Sequence, residues 1–170
     1  YIIVPASDKT TDSLTGLKGK VFAYTDPYSN TGYLTPRLLL QQAGENPGSF
    51  FRKTFFVWSH RRVLEAVVNG LADGGALSSH VWDTLSIGKP ELTSAARIIA
   101  KSPEFGFAPF VAQMSVGNED FHAMQKLLVE MPKDQEGQAL LKELNLDGFT
   151  IGDDRLYERT EQLIKAVGEK

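Results

Sequence analysis

The feature that most constrains the fold is a junction. The apolar run Val21-Phe22-Ala23-Tyr24 passes through Asp26-Pro27-Tyr28-Ser29-Asn30-Thr31-Gly32-Tyr33-Leu34-Thr35-Pro36 into Leu38-Leu39-Leu40, which reads as a strand, an oxygen-rich turn and a helix start. Such a turn sets hydroxyl and amide groups beside the unsatisfied N–H groups and positive dipole end of a helix, a ready place for a phosphate-like anion. Caps outnumber anion sites, so turn chemistry alone favours Ser29 or Asn30 as a helix cap.

The pattern recurs along the chain. Tyr1-Ile2-Ile3-Val4 reads as a short buried strand, followed by a polar connection from Pro5 to Thr15 and a turn before Val21. Leu38, Leu39, Leu40 and Ala43 supply a helix that stops at Gly44, and Pro36 in its early part means that the helix starts near Pro36 or is kinked. Lys53 to Trp58 is a strand by its aromatic and β-branched content. Ser59-His60 then precedes Val63, Leu64, Val67 and Val68 at helical spacing, so a second helix start carries a hydroxyl and an imidazole. Asn69 to Leu77 closes that helix and begins another strand, with Asp73 as a turn residue at the strand entry, and Ser78-Ser79-His80-Val81-Trp82-Asp83 opens a further helix. After a strand from Ala95 to Lys101, helices follow over Glu119–Met131, Glu136–Leu144 and Asp153–Lys170. The last carries an apolar face of Leu156, Leu163, Ile164 and Val167. Alternating strands and helices predict an α/β fold, a mostly parallel sheet flanked by helices with ligand groups at the carboxyl ends of its strands.

Composition removes several function classes. At 170 residues and 42% hydrophobic the chain can bury a sizeable core. A formal charge of -3 supplies no basic field for nucleic acid, so none is expected as a partner. No apolar run approaches the roughly 20 residues that span a bilayer, and the first residues lack a signal-peptide pattern, so a start at Tyr1 without Met is expected of a processed or excised piece. Zero Cys excludes disulfides, thiolate catalysis and Cys-based zinc sites. Three His without an H-E-x-x-H pattern predict no metal site, and no cofactor is expected. Ser29 and His60 resemble a nucleophile and base only superficially, because there is no G-x-S-x-G elbow and no evident orienting acid, so the chain is not expected to be an enzyme.

The string Asp26 to Pro36 resembles the D-P-x-S-T-S-G-Y-x-x-P signature of the phosphonate-binding periplasmic proteins, substrate-binding subunits of ABC importers with the type 2 periplasmic-binding fold. Asn30 stands where the family usually has Thr, and Thr31 where it usually has Ser. Thr31 keeps a hydroxyl, and Asn30 replaces one with an amide that can still donate. Further resemblances are the lead-in Leu17-Lys18-Gly19-Lys20, the Ser59-His60 pair, the run Val67 to Ala76, and Ser102 to Pro109, which resembles the crossing that returns the chain to the first lobe.

The resemblance implies an incomplete two-lobed protein, with a second lobe at about 14–108 and hinge crossings and first-lobe helices at 1–13 and 109–170. It implies a small tetrahedral oxyanion as ligand (phosphonate, phosphite, phosphate or similar), held by Ser29, Asn30, Thr31, Ser59 and His60. The imidazole would donate a hydrogen bond and, when protonated, add charge. Tyr33 either lines the cleft edge or anchors its helix. His80 either caps and packs or meets ligand. Relatives that bind aminoalkylphosphonates carry a carboxylate near His80 and a second acid where Phe107 and Ala108 stand, so their absence argues against an aminoalkyl ligand. The implied partner is an ABC transporter permease and the implied location periplasmic or extracytoplasmic. The alternative is a sensory domain of the same fold coupled to a kinase.

Overall fold

Period-two alternation builds a sheet whose strands at Ile2–Pro5, Val21–Tyr24 and Gly74–Ala76 are buried on both faces. In the computed structural model, which describes residues 1–167, the strands are β1 (Ile2–Pro5), β2 (Val21–Tyr24), β3 (Lys53–Phe56), β4 (Gly74–Ala76) and β5 (Ala96–Ala100). They form one sheet in the order β3-β2-β4-β1-β5. Side chains at alternate positions separate into two cores. Ile2, Val4, Phe22 and Tyr24 pack with Leu17, Leu40, Phe50 and Phe51, while Ile3 and Ala23 pack with Val63, Leu64, Val67 and Leu77.

β2 is parallel to β3 and to β4, whereas β1 is antiparallel to both β4 and β5. Four strands therefore run one way and β1 runs against them. Four of the five strand directions agree with the expected mostly parallel sheet, but the pairings divide evenly, two parallel and two antiparallel, because the reversed β1 is inserted between β4 and β5.

The helices are α1 (Thr35–Gln42), α2 (His60–Val68), α3 (Ser79–Gly88), α4 (Pro90–Ser94), α5 (Asn118–Glu130), α6 (Gln135–Glu143) and α7 (Glu158–Val167). A single π-type turn, Asn30–Leu34, runs directly into α1 and places Pro36 in the first helical turn, where its missing N–H costs little. β3 ends at Phe56, two residues before the predicted end, because Trp58 adopts φ 59° and leaves the strand conformation. Asp73 has the structural role expected of it: its carboxylate accepts the Val21 N–H at 2.8 Å and ties the starts of β2 and β4.

The final helix is split, with a 3-10 turn at Asp154–Tyr157 preceding α7. Leu163 and Val167 are buried, but Leu156 and Ile164 are exposed, so the predicted apolar face is only half used. The predicted end of that helix, residues 168–170, lies outside the described residues.

The chain divides into two compact units, one comprising Tyr1–Glu104 with Thr160 onward, the other Phe105–Arg159. The first contains the whole sheet and α1 to α4. The second contains α5 and α6, and its loops are tied by a hydrogen bond from the Tyr157 hydroxyl to the Phe107 carbonyl. No described helix is long and apolar enough to cross a membrane.

Candidate functional site

Three adjacent parallel strands, β3, β2 and β4, each end in a segment that turns into a helix. Ser29 caps the π-type turn after β2 with its side chain, while Ser59 before α2 (after β3) and Ser78 before α3 (after β4) occupy the N-cap positions without a side-chain cap bond. Neighbouring strands lie about 4.8 Å apart, so the parallel register brings three helix starts to the same edge of the sheet. The first N–H groups of each have no intrahelical acceptor, and the three positive dipole ends favour negative charge there.

The turn after β2 is shaped by a close approach. The Thr25 N–H donates to the Gly32 carbonyl at 3.3 Å, and a Cβ on Gly32 would lie 1.7 Å from Thr25 Oγ1. Only glycine lets the turn rest on the end of β2. The Ser29 hydroxyl accepts the Gly32 N–H at 3.0 Å, and the Ser29 carbonyl accepts from Tyr33 and Leu34. Capping does not exhaust Ser29, whose hydroxyl hydrogen is still available to an acceptor.

Asn30 is more committed than its neighbours. Its Oδ1 accepts the Thr35 hydroxyl at 3.1 Å, and its Nδ2 donates to the Thr160 hydroxyl at 3.4 Å. One amide hydrogen remains for anything else. Thr31, next in the turn, is half-buried.

His60 is the first residue of α2, and its imidazole reaches the start of α3. Nδ1 accepts the Ser78 N–H at 3.1 Å. A backbone donor on Nδ1 requires a lone pair there, so the ring is neutral with its hydrogen on Nε2, and Nε2 is a donor. Burial lowers the affinity of the ring for a second proton, and the nearby Asp26 carboxylate opposes that shift only in part. The geometry therefore favours His60 as a neutral hydrogen-bond donor over its service as a cation. Ser59, beside it, makes no side-chain cap bond to α2.

His80 lies in the first turn of α3 and is half-buried, with its carbonyl accepting the Thr84 hydroxyl at 2.8 Å. The six residues singled out in the sequence thus fall on three helix starts of one unit, with Ser59 and His60 adjacent and Ser29, Asn30 and Thr31 consecutive. Tyr33 packs edge-on against Tyr24 at 5.0 Å between ring centroids and against Phe56 at 5.3 Å, an anchoring role. Sequence reasoning missed Ser78, whose backbone N–H fixes the imidazole. Its only signal was a serine before a helix, 18 residues beyond His60.

Among the described residues, no group of three or more His, Cys, Asp or Glu side chains converges as metal ligands would. An open hollow of about 360 Å³ in the second unit is lined by Pro132, Gln138, Leu141, Lys142, Asn145, Leu146 and Asp147, and none of the six candidates lines it.

Residues 1–157 match the family model described as "ABC transporter, phosphonate, periplasmic substrate-binding protein". Among solved structures, the chain is similar to PhnD1 from Prochlorococcus marinus in complex with methylphosphonate, with a TM-score of 0.81, 23% identity, and coverage of 96% of this chain and 64% of that one. It is also similar to a binding protein component of an ABC phosphonate transporter from Pseudomonas aeruginosa, with a TM-score of 0.84, 25% identity, and coverage of 95% of this chain and 55% of that one. The chain thus spans 55–64% of the length of these relatives.

Proposed function

Because this chain belongs to the family of periplasmic substrate-binding proteins of phosphonate ABC transporters, a family of binding proteins and not of enzymes, we propose that it is part of an extracytoplasmic receptor for a phosphonate, phosphite, phosphate or similar tetrahedral oxyanion. Ser29, Asn30, Thr31, Ser59 and His60 donate to the ligand together with backbone N–H groups of the first helical turns, and His80 lies at the third helix start. The observation that carries this reading is the Ser78 N–H to His60 Nδ1 bond at 3.1 Å. It turns the imidazole into a fixed neutral donor at the meeting point of two helix N-termini, an arrangement suited to an anion and of no use to a cation.

In this proposal the segment at about 14–108 is the second lobe, and residues 1–13 and 109–170 supply hinge crossings and a portion of the first. The remainder of the parent protein completes the first lobe. A transporter permease is the partner to which the loaded receptor delivers its ligand.

The test is a thermal-unfolding screen of the full-length parent with phosphate, phosphite, sulfate, methylphosphonate and 2-aminoethylphosphonate, with Ser29→Ala and His60→Ala as controls. A ligand at about 100 times its dissociation constant adds roughly 2.7 kcal/mol, a shift on the order of 5 °C. The expected result is a shift with at least one oxyanion other than 2-aminoethylphosphonate that is lost in both variants. No shift with any of the five overturns the assignment.

A further inference from the structure

The link between β3 and α2 carries a side chain that its backbone does not require. Trp58 holds φ 59°, a region that glycine enters freely and a bulky residue enters only under strain. Its N–H donates to the Thr25 carbonyl at 2.7 Å, which ties the turn to the end of β2. Glycine would make the same turn and the same hydrogen bond without strain. The indole earns little packing in return, since Trp58 is 66% exposed and its ring contact is with Phe56 at 6.2 Å between centroids.

A single exposed aromatic is ordinary. An exposed aromatic kept at a strained φ, immediately before Ser59 and His60, points to a role for the side chain itself. The turn after the neighbouring strand β2 also places an aromatic before a serine, without the strain: Tyr28, 87% exposed, immediately precedes Ser29. β2 and β3 are paired in register with Tyr24 opposite Phe56, so both aromatics belong to segments that leave the same edge of the sheet, each one residue ahead of a hydroxyl at a helix start.

We propose that Trp58, with Tyr28, is a specificity-determining residue of the oxyanion site, presenting an aromatic face to the organic group that the oxyanion carries. The site then prefers phosphonates or phosphate esters bearing a planar or aromatic substituent over methylphosphonate and over inorganic phosphate. This rests on the oxyanion reading above. Aromatic contacts of this kind supply a preference of about fivefold to tenfold.

The test is calorimetric titration of the full-length parent with phenylphosphonate and methylphosphonate, comparing wild type with Trp58→Gly and Trp58→Phe. Wild type is expected to bind phenylphosphonate about fivefold or more tightly than methylphosphonate. Trp58→Gly is expected to reduce that ratio to about one without lowering the unfolding temperature, and Trp58→Phe to keep most of it. A ratio that is the same in Trp58→Gly as in wild type, or near one in wild type, overturns the role of Trp58 and leaves the oxyanion reading standing. Absence of binding to wild type of both phosphonates, and of phosphate, phosphite, sulfate and 2-aminoethylphosphonate, overturns both.

Discussion

At the scale of single residues, His60 joins stability to recognition. Its Nδ1 is the acceptor for the partly buried Ser78 N–H, so His60→Ala leaves that donor unpaired and is expected to cost about 1–2 kcal/mol in urea unfolding without any ligand. His60→Asn, whose Oδ1 can stand in for Nδ1, is expected to recover part of the loss, and equal stability of the two variants would contradict the role of the bond. The ring also has a pH signature. Its proton affinity in the folded chain is below the ordinary value of 6.5, chiefly through burial, so below about pH 6.5 the unfolded state binds more protons than the native one. Stability rises with pH across that window and is lost as pH falls through it. An NMR titration should find a midpoint below 6.5 and a neutral ring carrying its hydrogen on Nε2; a midpoint above 6.5 would refute the neutral donor. Ser59 is the opposite case. It occupies a capping position without making the cap bond, so its replacement should cost little stability.

At the scale of elements, the turn after β2 depends on close contact with the strand beneath it. Gly32→Ala forces a methyl group to within 1.7 Å of Thr25 Oγ1 and is expected to destabilise by about 1–3 kcal/mol, read as a lowered urea midpoint at unchanged m-value. A midpoint equal to that of wild type would show that the turn does not rest on Thr25. The local pattern told much of this in advance. Val21–Tyr24 is a strand over its full predicted length, and the start of α2 at His60 follows from the spacing of Val63, Leu64 and Val67. What escaped the sequence was non-local. Alternation marks Ile2 to Val4 as a buried strand but does not say that it runs antiparallel between β4 and β5, since its partners lie some 70 to 100 residues away. Aromatic content extended β3 through Trp58, and the positive φ that ends the strand is set by its bond to Thr25. The candidate oxyanion residues were legible as a motif. The occupation of Asn30 by Thr35 and Thr160, and the tautomer of His60, were not, because each is fixed by a residue several positions or a whole unit's chain length away.

At the scale of the whole molecule, the two units differ in how much apolar surface they bury. The sheet unit holds two filled cores. In the unit of residues 105–159, no side chain of α5 is buried, and Phe110, Val111, Met114, Met124 and Leu127 are all exposed, Met114 to 99%. In the proposed assignment the rest of the parent covers these exposed apolar side chains. The 170-residue chain alone is therefore expected to bind more of the dye ANS per molecule than the full-length parent; equal binding would show that this surface stays open in the parent. If a tetrahedral oxyanion is held by donors at the helix starts along one sheet edge, Ser59 is the donor whose removal separates binding from stability. The measurement is calorimetric titration of the full-length parent and its Ser59→Ala variant with the oxyanion that gives the largest thermal shift. A charge-assisted hydrogen bond is worth about 1.5–3 kcal/mol, so the expected result is a loss of affinity of tenfold or more with the unfolding temperature of the free protein unchanged within about 1 °C. Equal affinity in the two proteins would contradict it.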